Sequence, residues 1–296
     1  MNKVAFIFPG QGSQYEGMIE PIRDFQITQY YLDEFHKILG YRFEDLTNEE
    51  LIPTNITQPV LFTVSCIYCE ILKEKGYKPF ILAGHSLGEY SALYAAGFFT
   101  YETGLQIVTA RGLLMSQINQ ETPGKMAALI GSNEALVKEI CRESSKIGVC
   151  ESVNYNSLEQ TIISGQIEAI DFACKMAKEK GIKLVIPLQV SAPFHSSLMQ
   201  KMATRFSDEL DYHRLESPKI PIVQNFDANV HQELTIIKKN LVLQLDHPVM
   251  WRQSIEELMN RGVKEIVEVG PKKVLTGLLK KTNVKALAVE DLLQIK

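Results

Sequence analysis

The chain has 296 residues, with 31 basic and 35 acidic side chains and a formal net charge of -4. With 45% hydrophobic and 22% charged residues, it has the composition of an ordinary globular protein, which excludes disorder as a description of the whole chain. The mildly acidic balance argues against nucleic-acid binding, which usually needs a strong basic excess. The length predicts one or two domains with a core large enough to fold without a metal or disulfide.

The five cysteines do not indicate a disulfide framework, because their number is odd and the chain is long. Cys66 and Cys69 have CxxC spacing, but they lie on an apolar helical stretch, which predicts two buried thiols. A redox or metal pair is the alternative interpretation. No second CxxC or histidine pair is placed to complete a zinc site, so we expect no metal.

The first part of the chain alternates short apolar runs with helical patterns. Such alternation is typical of an α/β fold whose sheet is mostly parallel. No run approaches the roughly 20 apolar residues of a membrane helix, and no signal peptide is visible, so we expect a cytoplasmic protein without membrane contact. The predicted strands are 4–8 and 80–83, and the predicted helices are 59–75, 89–96 and 102–118.

The middle of the chain has a different order, β-α-β-β-α-β, which is the ferredoxin-like pattern. We therefore expect a small ferredoxin-like domain at 124–190, inserted into a large hydrolase-like α/β domain formed by 1–123 and 191–296. The predicted elements of the insertion are strands 126–130, 152–155, 161–164 and 183–190 and helices 133–146 and 168–180. Beyond it we expect strands 220–223 and 264–269 and helices 234–245, 254–261 and 273–281.

A G-x-S-x-G motif, Gly84-His85-Ser86-Leu87-Gly88, lies between a predicted strand and a predicted helix. This context is typical of a nucleophile elbow, in which a tight turn projects the serine hydroxyl outward. The N–H of Leu87 would then face an oxyanion formed at Ser86. The alternative is a serine that only caps a helix in a structural turn.

A nucleophilic serine needs a base, and the sequence offers six histidines. His195 follows an apolar strand, where α/β folds place catalytic groups, and we favour it over His247. Both remain open on this reasoning alone.

Two further features are candidate binding sites. Arg111 shares a helical face with Ile107 and Leu114, so it is either a snorkelling side chain or a buried guanidinium that awaits a carboxylate. The stretch Gly10-Gln-Gly-Ser-Gln14 lacks the third glycine of a dinucleotide loop, and position 15 is tyrosine, so we expect no nucleotide cofactor.

The ordered set of motifs resembles the malonyl-CoA:acyl-carrier-protein transacylases, a family that includes the acyltransferase domains of polyketide synthases. The resemblance covers almost the whole chain. The segments that carry it are 8–14 (FPGQGSQ), 83–92 (AGHSLGEYSA), 109–112 (TARG), 194–195 (FH), 244–249 (QLDHPV) and 268–272 (EVGPK).

The resemblance implies a two-step transfer without a cofactor. Ser86 would attack the thioester of malonyl-CoA with His195 as general base, and the phosphopantetheine thiol of acyl carrier protein would then take the malonyl group. The N–H groups of Gln11 and Leu87 would form the oxyanion hole. A main-chain oxygen near Gln244 would orient the histidine in place of a carboxylate.

The resemblance also assigns substrate contacts. It implies that Arg111 pairs with the malonyl carboxylate, that Phe194 crowds an α-methyl branch, and that Asn154 and Asn156 line the cleft. A monomer is expected, serving fatty-acid or polyketide synthesis. Because carrier proteins are acidic, a local basic face is expected, and Lys272, Lys273, Lys280 and Lys281 are its candidates. A solvated helix face is the alternative interpretation of these lysines.

Two other functions compete with malonyl transfer. The first is hydrolysis of acyl groups from carrier-protein thioesters, a role seen in relatives that lack the arginine. The second is a non-catalytic docking protein that has kept the fold. The presence of Ser86, His195 and Arg111 together favours transfer.

Overall fold

The computed structural model describes residues 3–190 and 192–294. The predicted domain boundary at Ser191 and the two chain ends lie outside these ranges. Within them, the elements in chain order are β1 (Lys3–Phe8), α1 (Gln26–Leu39), α2 (Thr54–Glu74), β2 (Ile81–Gly84), α3 (Gly88–Ala95), α4 (Tyr101–Glu121), β3 (Lys125–Ile130), α5 (Glu134–Ser144), β4 (Cys150–Tyr155), β5 (Gln160–Gly165), α6 (Ile167–Glu179), β6 (Leu184–Pro187), α7 (Gln200–Tyr212), β7 (Ile222–Val223), β8 (Val230–His231), α8 (Leu234–Leu243), α9 (Trp251–Asn260), β9 (Val263–Glu268), α10 (Val274–Leu278), β10 (Lys285–Ala288) and α11 (Val289–Leu293).

The fold is α/β, with one mixed and mostly parallel sheet and a separate antiparallel sheet. The larger sheet has the order β10-β9-β1-β2-β7-β8 over the described ranges, and only β8 runs antiparallel to its neighbour. The carboxyl ends of β1, β2, β7 and β9 therefore lie at one edge, which is where open α/β sheets bind ligands.

The smaller sheet has the order β4-β5-β3-β6, with antiparallel pairing throughout. Alternate residues of β3 point to opposite sides. Ala127 and Leu129 pack with α5 and α6 in a separate apolar cluster, whereas Met126 and Ala128 join the main core. One face of this sheet thus covers the large sheet's functional edge.

The helix α2 begins five residues earlier than the sequence predicts. Pro53 is the N-cap, and Pro59 lies inside the helix rather than at its start. Because proline has no N–H, Pro59 donates no hydrogen bond to the preceding turn. By length and hydropathy α2 is the helix among those described that could span a membrane, yet 83% of its apolar window is buried within the protein.

The helix α4 crosses α2 at very short range, and glycine makes this possible. A Cβ atom on Gly112 would lie 2.8 Å from Cα of Asn55 and 3.0 Å from the carbonyl oxygen of Thr54. These distances leave no room for a methyl group unless the backbone moves. The glycine after Arg111 therefore sets how close that arginine comes to α2.

We expect Gly112→Ala to destabilise the protein, because overpacking against backbone costs about 1–3 kcal/mol and outweighs the gain in helix propensity of about 1 kcal/mol. Gly277→Ala is the matched control, since a Cβ there meets nothing within 4 Å. Urea unfolding should show a lower midpoint for Gly112→Ala and an unchanged or higher one for the control. Equal midpoints for the two variants would contradict the packing argument.

Candidate active site

Ser86 occupies a strained turn between β2 and α3. Its backbone is left-handed, with φ at 52°, as expected for a nucleophile elbow. The flanking glycines allow this turn to pack tightly. A Cβ on Gly84 would lie 2.0 Å from the carbonyl carbon of Gly88, and a Cβ on Gly88 would lie 2.0 Å from the carbonyl oxygen of Phe8. The motif needs both glycines because backbone meets backbone there.

Asn225, at the end of β7, holds both sides of this turn. Its Nδ2 donates to the carbonyl oxygen of Gly84 (2.6 Å), and its Oδ1 accepts from the backbone N–H of Ser86 (2.6 Å). Asn225 is fully buried, and its own N–H donates to the carboxylate of Glu89 (2.7 Å). A clamp of this kind offsets the backbone strain at Ser86, which costs on the order of 1–3 kcal/mol.

The sequence did not identify Asn225 as a site residue. It lies 139 positions from Ser86 along the chain, and only the pairing of β2 with β7 brings the two together. A single asparagine after a short strand carries no local signal of such a role.

His195 is the histidine that reaches the serine. Its Nε2 lies 2.8 Å from Oγ of Ser86, and its Nδ1 lies 2.7 Å from the carbonyl oxygen of Gln244. A carbonyl can only accept, so Nδ1 carries the proton and Nε2 is free to accept the serine proton. His247 instead contacts Asp246 and the carbonyl oxygen of Leu243, away from Ser86.

The surroundings of His195 keep its imidazole neutral. Burial is the main cause, followed by the positive charge of Arg111, and together they lower the pKa of His195 to about 3. The hydrogen bond to the Gln244 carbonyl opposes this shift without reversing it. A neutral imidazole with a free Nε2 is the form that accepts a proton.

Arg111 projects from α4 into the same site and is 1% exposed. Its Nη2 donates to Oγ of Ser86 (3.2 Å) and to Oε1 of Gln244 (3.1 Å), and its Nη1 donates to Oε1 of Gln58 (2.7 Å). Tyr90 lies beneath the guanidinium, with its ring centroid 5.2 Å away.

Among the described residues, no carboxylate forms an ion pair with Arg111, and its Nε has no hydrogen-bond partner. All of its acceptors are neutral. Burying a charge is costly unless it is paired, so this guanidinium is poised to bind an anion.

The loop after β1 packs against the elbow at the position where an oxyanion hole would form. A Cβ on Gly10 would lie 2.5 Å from the carbonyl oxygen of His85 and 3.7 Å from the nitrogen of Leu87, so the two backbones are adjacent. Within the described ranges, the N–H groups of Gln11 and Leu87 have no hydrogen-bond partner. Two free N–H groups beside a nucleophile could together bind a developing oxyanion.

A cavity of about 290 Å³ gives access to Ser86. Phe194, 7% exposed, and Met115 form walls that it shares with a neighbouring cavity of about 620 Å³. Asn154 and Asn156 line it from the smaller sheet, and Oδ1 of Asn156 lies 2.8 Å from Nε2 of His85. The predicted site residues thus meet in one cleft between the two sheets.

Glu268 supports the opposite wall of the cleft. Its carboxylate accepts from the N–H groups of Leu275 (2.9 Å) and Thr276 (2.8 Å) and from the hydroxyl of Thr276. These residues belong to α10, which lines the cavity. The sequence motif at 268–272 therefore corresponds to a helix anchor.

The CxxC cysteines take no part in this site. Cys66 and Cys69 are buried on α2, and burial raises the pKa of both thiols, that of Cys69 to about 12. Thiols in this environment are unreactive at neutral pH. Among the described residues, no group of three or more His, Cys, Asp or Glu side chains is placed to hold a metal ion.

The chain belongs to the acyl transferase domain family, whose model matches residues 5–293. Malonyl CoA-acyl carrier protein transacylases are among its relatives. The enzyme of that name from Bacillus subtilis (strain 168) is 38% identical over 299 residues, covering 98% of this chain and 94% of the relative. The one from Escherichia coli (strain K12) is 39% identical over 287 residues, covering 95% and 93%.

Solved structures of similar fold match almost the whole length of this chain. The malonyl CoA-acyl carrier protein transacylase from Coxiella burnetii superposes with a TM-score of 0.95 at 36% identity, covering 99% of this chain and 97% of that one. A type II polyketide synthase acyl-carrier protein in complex with its malonyl-transacylase matches with a TM-score of 0.93 at 35% identity, covering 97% and 95%.

We expect the kcat/KM for acylation of Ser86 to show no acid limb near pH 6.5. The neutral form of His195 is the active one, and it is lost only as the pH falls towards its lowered pKa of about 3. The measurement is a pH profile of acylation between pH 5 and 8.

Glu89 supplies the control for this profile, because burial raises its pKa to about 7. The same profile is therefore measured for Glu89→Gln. An acid limb near pH 6.5 that persists in Glu89→Gln would show that the pKa of His195 is not lowered.

We expect Asn225→Asp to slow acylation of Ser86 by about tenfold or more, since a carboxylate cannot donate to the carbonyl oxygen of Gly84 and that half of the clamp is lost. Asn240→Asp is the control, because Asn240 is a buried asparagine that contacts Gln224 but not the elbow. The measurement is the pre-steady-state rate of Ser86 acylation in each variant, followed by mass spectrometry. Equal slowing in the two variants would assign the loss to general destabilisation.

Proposed function

We propose that this protein transfers the malonyl group from malonyl-CoA to the phosphopantetheine thiol of an acyl carrier protein. The observation that carries the proposal is the buried guanidinium of Arg111, which has no ion-pair partner in the described ranges and whose Nη2 lies 3.2 Å from Oγ of Ser86. The malonyl carboxylate is one methylene from the acyl carbon that Ser86 attacks. A guanidinium at this distance can therefore hold the carboxylate while the carbonyl faces Ser86.

In the first half-reaction, Oγ of Ser86 attacks the thioester carbonyl and His195 Nε2 takes its proton. The carbonyl oxygen becomes an oxyanion, for which the N–H groups of Gln11 and Leu87 are the proposed donors. The C–S bond then breaks, and the imidazolium returns the proton to the leaving thiolate of CoA. The product is a malonyl-serine ester.

The second half-reaction repeats these steps with a different nucleophile. His195 takes the proton of the carrier protein's phosphopantetheine thiol, and the thiolate attacks the ester. The bond to Oγ breaks, and Ser86 recovers its proton from His195. One covalent intermediate thus divides a thioester exchange into two similar steps.

The residues around Arg111 support selection of a dicarboxylic acyl group. An acetyl or long-chain acyl group would leave the buried guanidinium without an anion, and an unpaired buried charge is costly. Phe194 narrows the cavity beside Ser86 and is proposed to disfavour an α-methyl branch. Asn154 and Asn156 are proposed to contact the pantetheine part of the substrate from the smaller sheet.

We also infer the domain organisation from the same structure. The order β3-α5-β4-β5-α6-β6 and the sheet order β4-β5-β3-β6 support a ferredoxin-like insertion at 124–190 with its own apolar cluster. The large domain, 1–123 and 191–296, then has a hydrolase-like arrangement with its nucleophile after a central strand. A cytoplasmic location fits substrates that are soluble thioesters.

The proposed basic face is partly occupied by ion pairs. Lys273 pairs with Asp291 (2.7 Å) and Lys281 with Glu159 (2.6 Å), while Nζ of Lys272 donates to the carbonyl oxygen of Gln14. All four candidate lysines are exposed and flank α10, which is a wall of the cleft. Their place beside the cleft supports a role in docking an acidic carrier protein.

The test is incubation with radiolabelled malonyl-CoA and a holo acyl carrier protein. Label on the carrier protein supports transfer, whereas free malonate without labelled carrier protein would support the competing hydrolase function. Ser86→Ala should abolish label on both the enzyme and the carrier protein. Full transfer by Ser86→Ala would refute the assignment of Ser86.

We expect Arg111→Ala to lower kcat/KM for malonyl-CoA by about 100-fold or more, because a charge-assisted contact to the carboxylate is lost. The kcat/KM for acetyl-CoA should fall much less, because acetyl-CoA has no acyl carboxylate. Arg111→Lys is the conservative control and should retain part of the preference. Equal losses for both substrates in Arg111→Ala would contradict a role in acyl selection.

A further inference from the structure

Two side chains at the start of α2 connect the arginine to the loop that carries Gln11. We propose that Gln58 and Thr54 are positioning residues that hold Arg111 and the oxyanion-hole loop in one hydrogen-bonded frame. The proposal rests on the proposed function, to which it adds a link between carboxylate recognition and oxyanion stabilisation.

The chain of hydrogen bonds is continuous and short. Nη1 of Arg111 donates to Oε1 of Gln58 (2.7 Å), and Nε2 of Gln58 donates to Oγ1 of Thr54 (3.0 Å). The hydroxyl of Thr54 in turn donates to Oε1 of Gln11 (3.0 Å). Three bonds thus join a buried cation to the residue whose backbone N–H is a proposed oxyanion donor.

The direction of every bond follows from the arginine. A guanidinium can only donate, so Gln58 must present its carbonyl oxygen to Arg111 and its NH₂ group to Thr54. Having accepted that bond, Thr54 places its hydroxyl hydrogen towards Gln11. The second hydrogen of Gln58 Nε2 is directed at Sδ of Met115 (3.0 Å), so the amide is fully engaged.

Burial makes Gln58 difficult to replace. Its side chain is 1% exposed, so water cannot take over the bond to Arg111. The close crossing at Gly112 brings α4 onto the first turns of α2, which sets the distance between the two side chains. Loss of the amide would leave Nη1 of Arg111 buried without an acceptor, and the guanidinium would lose its orientation towards Ser86.

The Gln11 loop needs an external anchor. Gly12 has φ at +107°, and the bonds nearest Gln11, from the N–H of Gly12 to Oε1 of Gln14 and from Ser13 to the carbonyl oxygen of Gly10, are local. The loop's other long-range bond comes from the exposed Lys272 to the carbonyl oxygen of Gln14, three residues beyond Gln11. The bond from Thr54 ties the Gln11 side chain to a buried helix. The backbone N–H of Gln11, which has no partner in the described ranges, thereby keeps its place beside Leu87.

One hydrogen-bonded frame therefore positions the groups that would bind both ends of the malonyl group, its carboxylate and its thioester carbonyl. A carboxylate bound to Arg111 would tighten the bond from Nη1 to Gln58, and the frame would carry that restraint to Gln11. An acyl group without a carboxylate adds no such restraint and gains less from the oxyanion donors. Selectivity would then appear in the rate of acylation as well as in binding.

The first experiment measures single-turnover acylation of Ser86 with malonyl-CoA and acetyl-CoA in four variants of the full chain. Thr54→Val should slow acylation by either substrate by about tenfold and leave the apparent affinity for malonyl-CoA nearly unchanged. Gln58→Leu should slow acylation by malonyl-CoA by about 10- to 100-fold, and it should also reduce the preference for malonyl-CoA over acetyl-CoA. Thr54→Ser, which keeps the hydroxyl, should restore the rate.

The fourth variant is the double substitution Thr54→Val with Gln58→Leu. If the two residues act through one frame, it should be little slower than Gln58→Leu alone, whereas independent roles predict multiplied losses. Thr63→Val is the matched control, because Thr63 is a buried threonine on α2 that contacts Pro59 and Tyr101 instead. Its acylation rate should not change.

A second readout separates this inference from the proposed function. An uncharged alkyl fluorophosphonate modifies Ser86 through an oxyanion-like intermediate and carries no carboxylate for Arg111. Thr54→Val should slow this reaction by about tenfold whichever acyl-CoA proves to be the substrate. Unchanged phosphonylation in Thr54→Val, or multiplied losses in the double variant, would overturn the frame. Failure of malonyl transfer alone would overturn only the proposed function.

Discussion

The guanidinium of Arg111 imposes the main constraint on this site. It is almost completely buried, and in the described residues every acceptor that it contacts is neutral. Two of these contacts, Gln244 and Ser86, belong to the proposed catalytic group, so the cation, the proposed nucleophile and the support of His195 are held in place with respect to one another. The same charge helps to lower the pKa of His195, which keeps that base ready to accept a proton.

Close backbone packing is the second requirement, and it explains why the motifs contain glycine. The elbow around Ser86 meets the end of β1 and the loop after it at distances that exclude a Cβ at Gly10 or Gly88, and the backbone of Gly88 excludes one at Gly84. The N–H groups of Gln11 and Leu87, which have no partner in the described ranges, become neighbours for this reason. Asn225 then fixes the strained serine from a third strand, so β1, β2 and β7 each contribute one part of the nucleophile's surroundings.

Most of the architecture could be predicted because it depends on local patterns. Alternation of apolar runs with helical spacing located the strands at 4–8 and 80–83 and the β-α-β-β-α-β order of the middle segment. The bounds of helices were harder to predict from the sequence. The predicted helix 273–281 is only Val274–Leu278 in the structure, and α2 begins at Thr54, with Pro59 inside it.

The sequence by itself singled out Ser86 as the candidate nucleophile, through its flanking glycines between a strand and a helix, and it narrowed the candidate base to His195 or His247. Tertiary structure decided between the histidines, since only His195 lies within hydrogen-bond distance of Ser86. It also revealed Asn225, Gln58 and Thr54, which no local pattern marks. The physical reason is that a buried polar group is defined by the partner that satisfies it, and those partners come from strands and helices far apart in the chain.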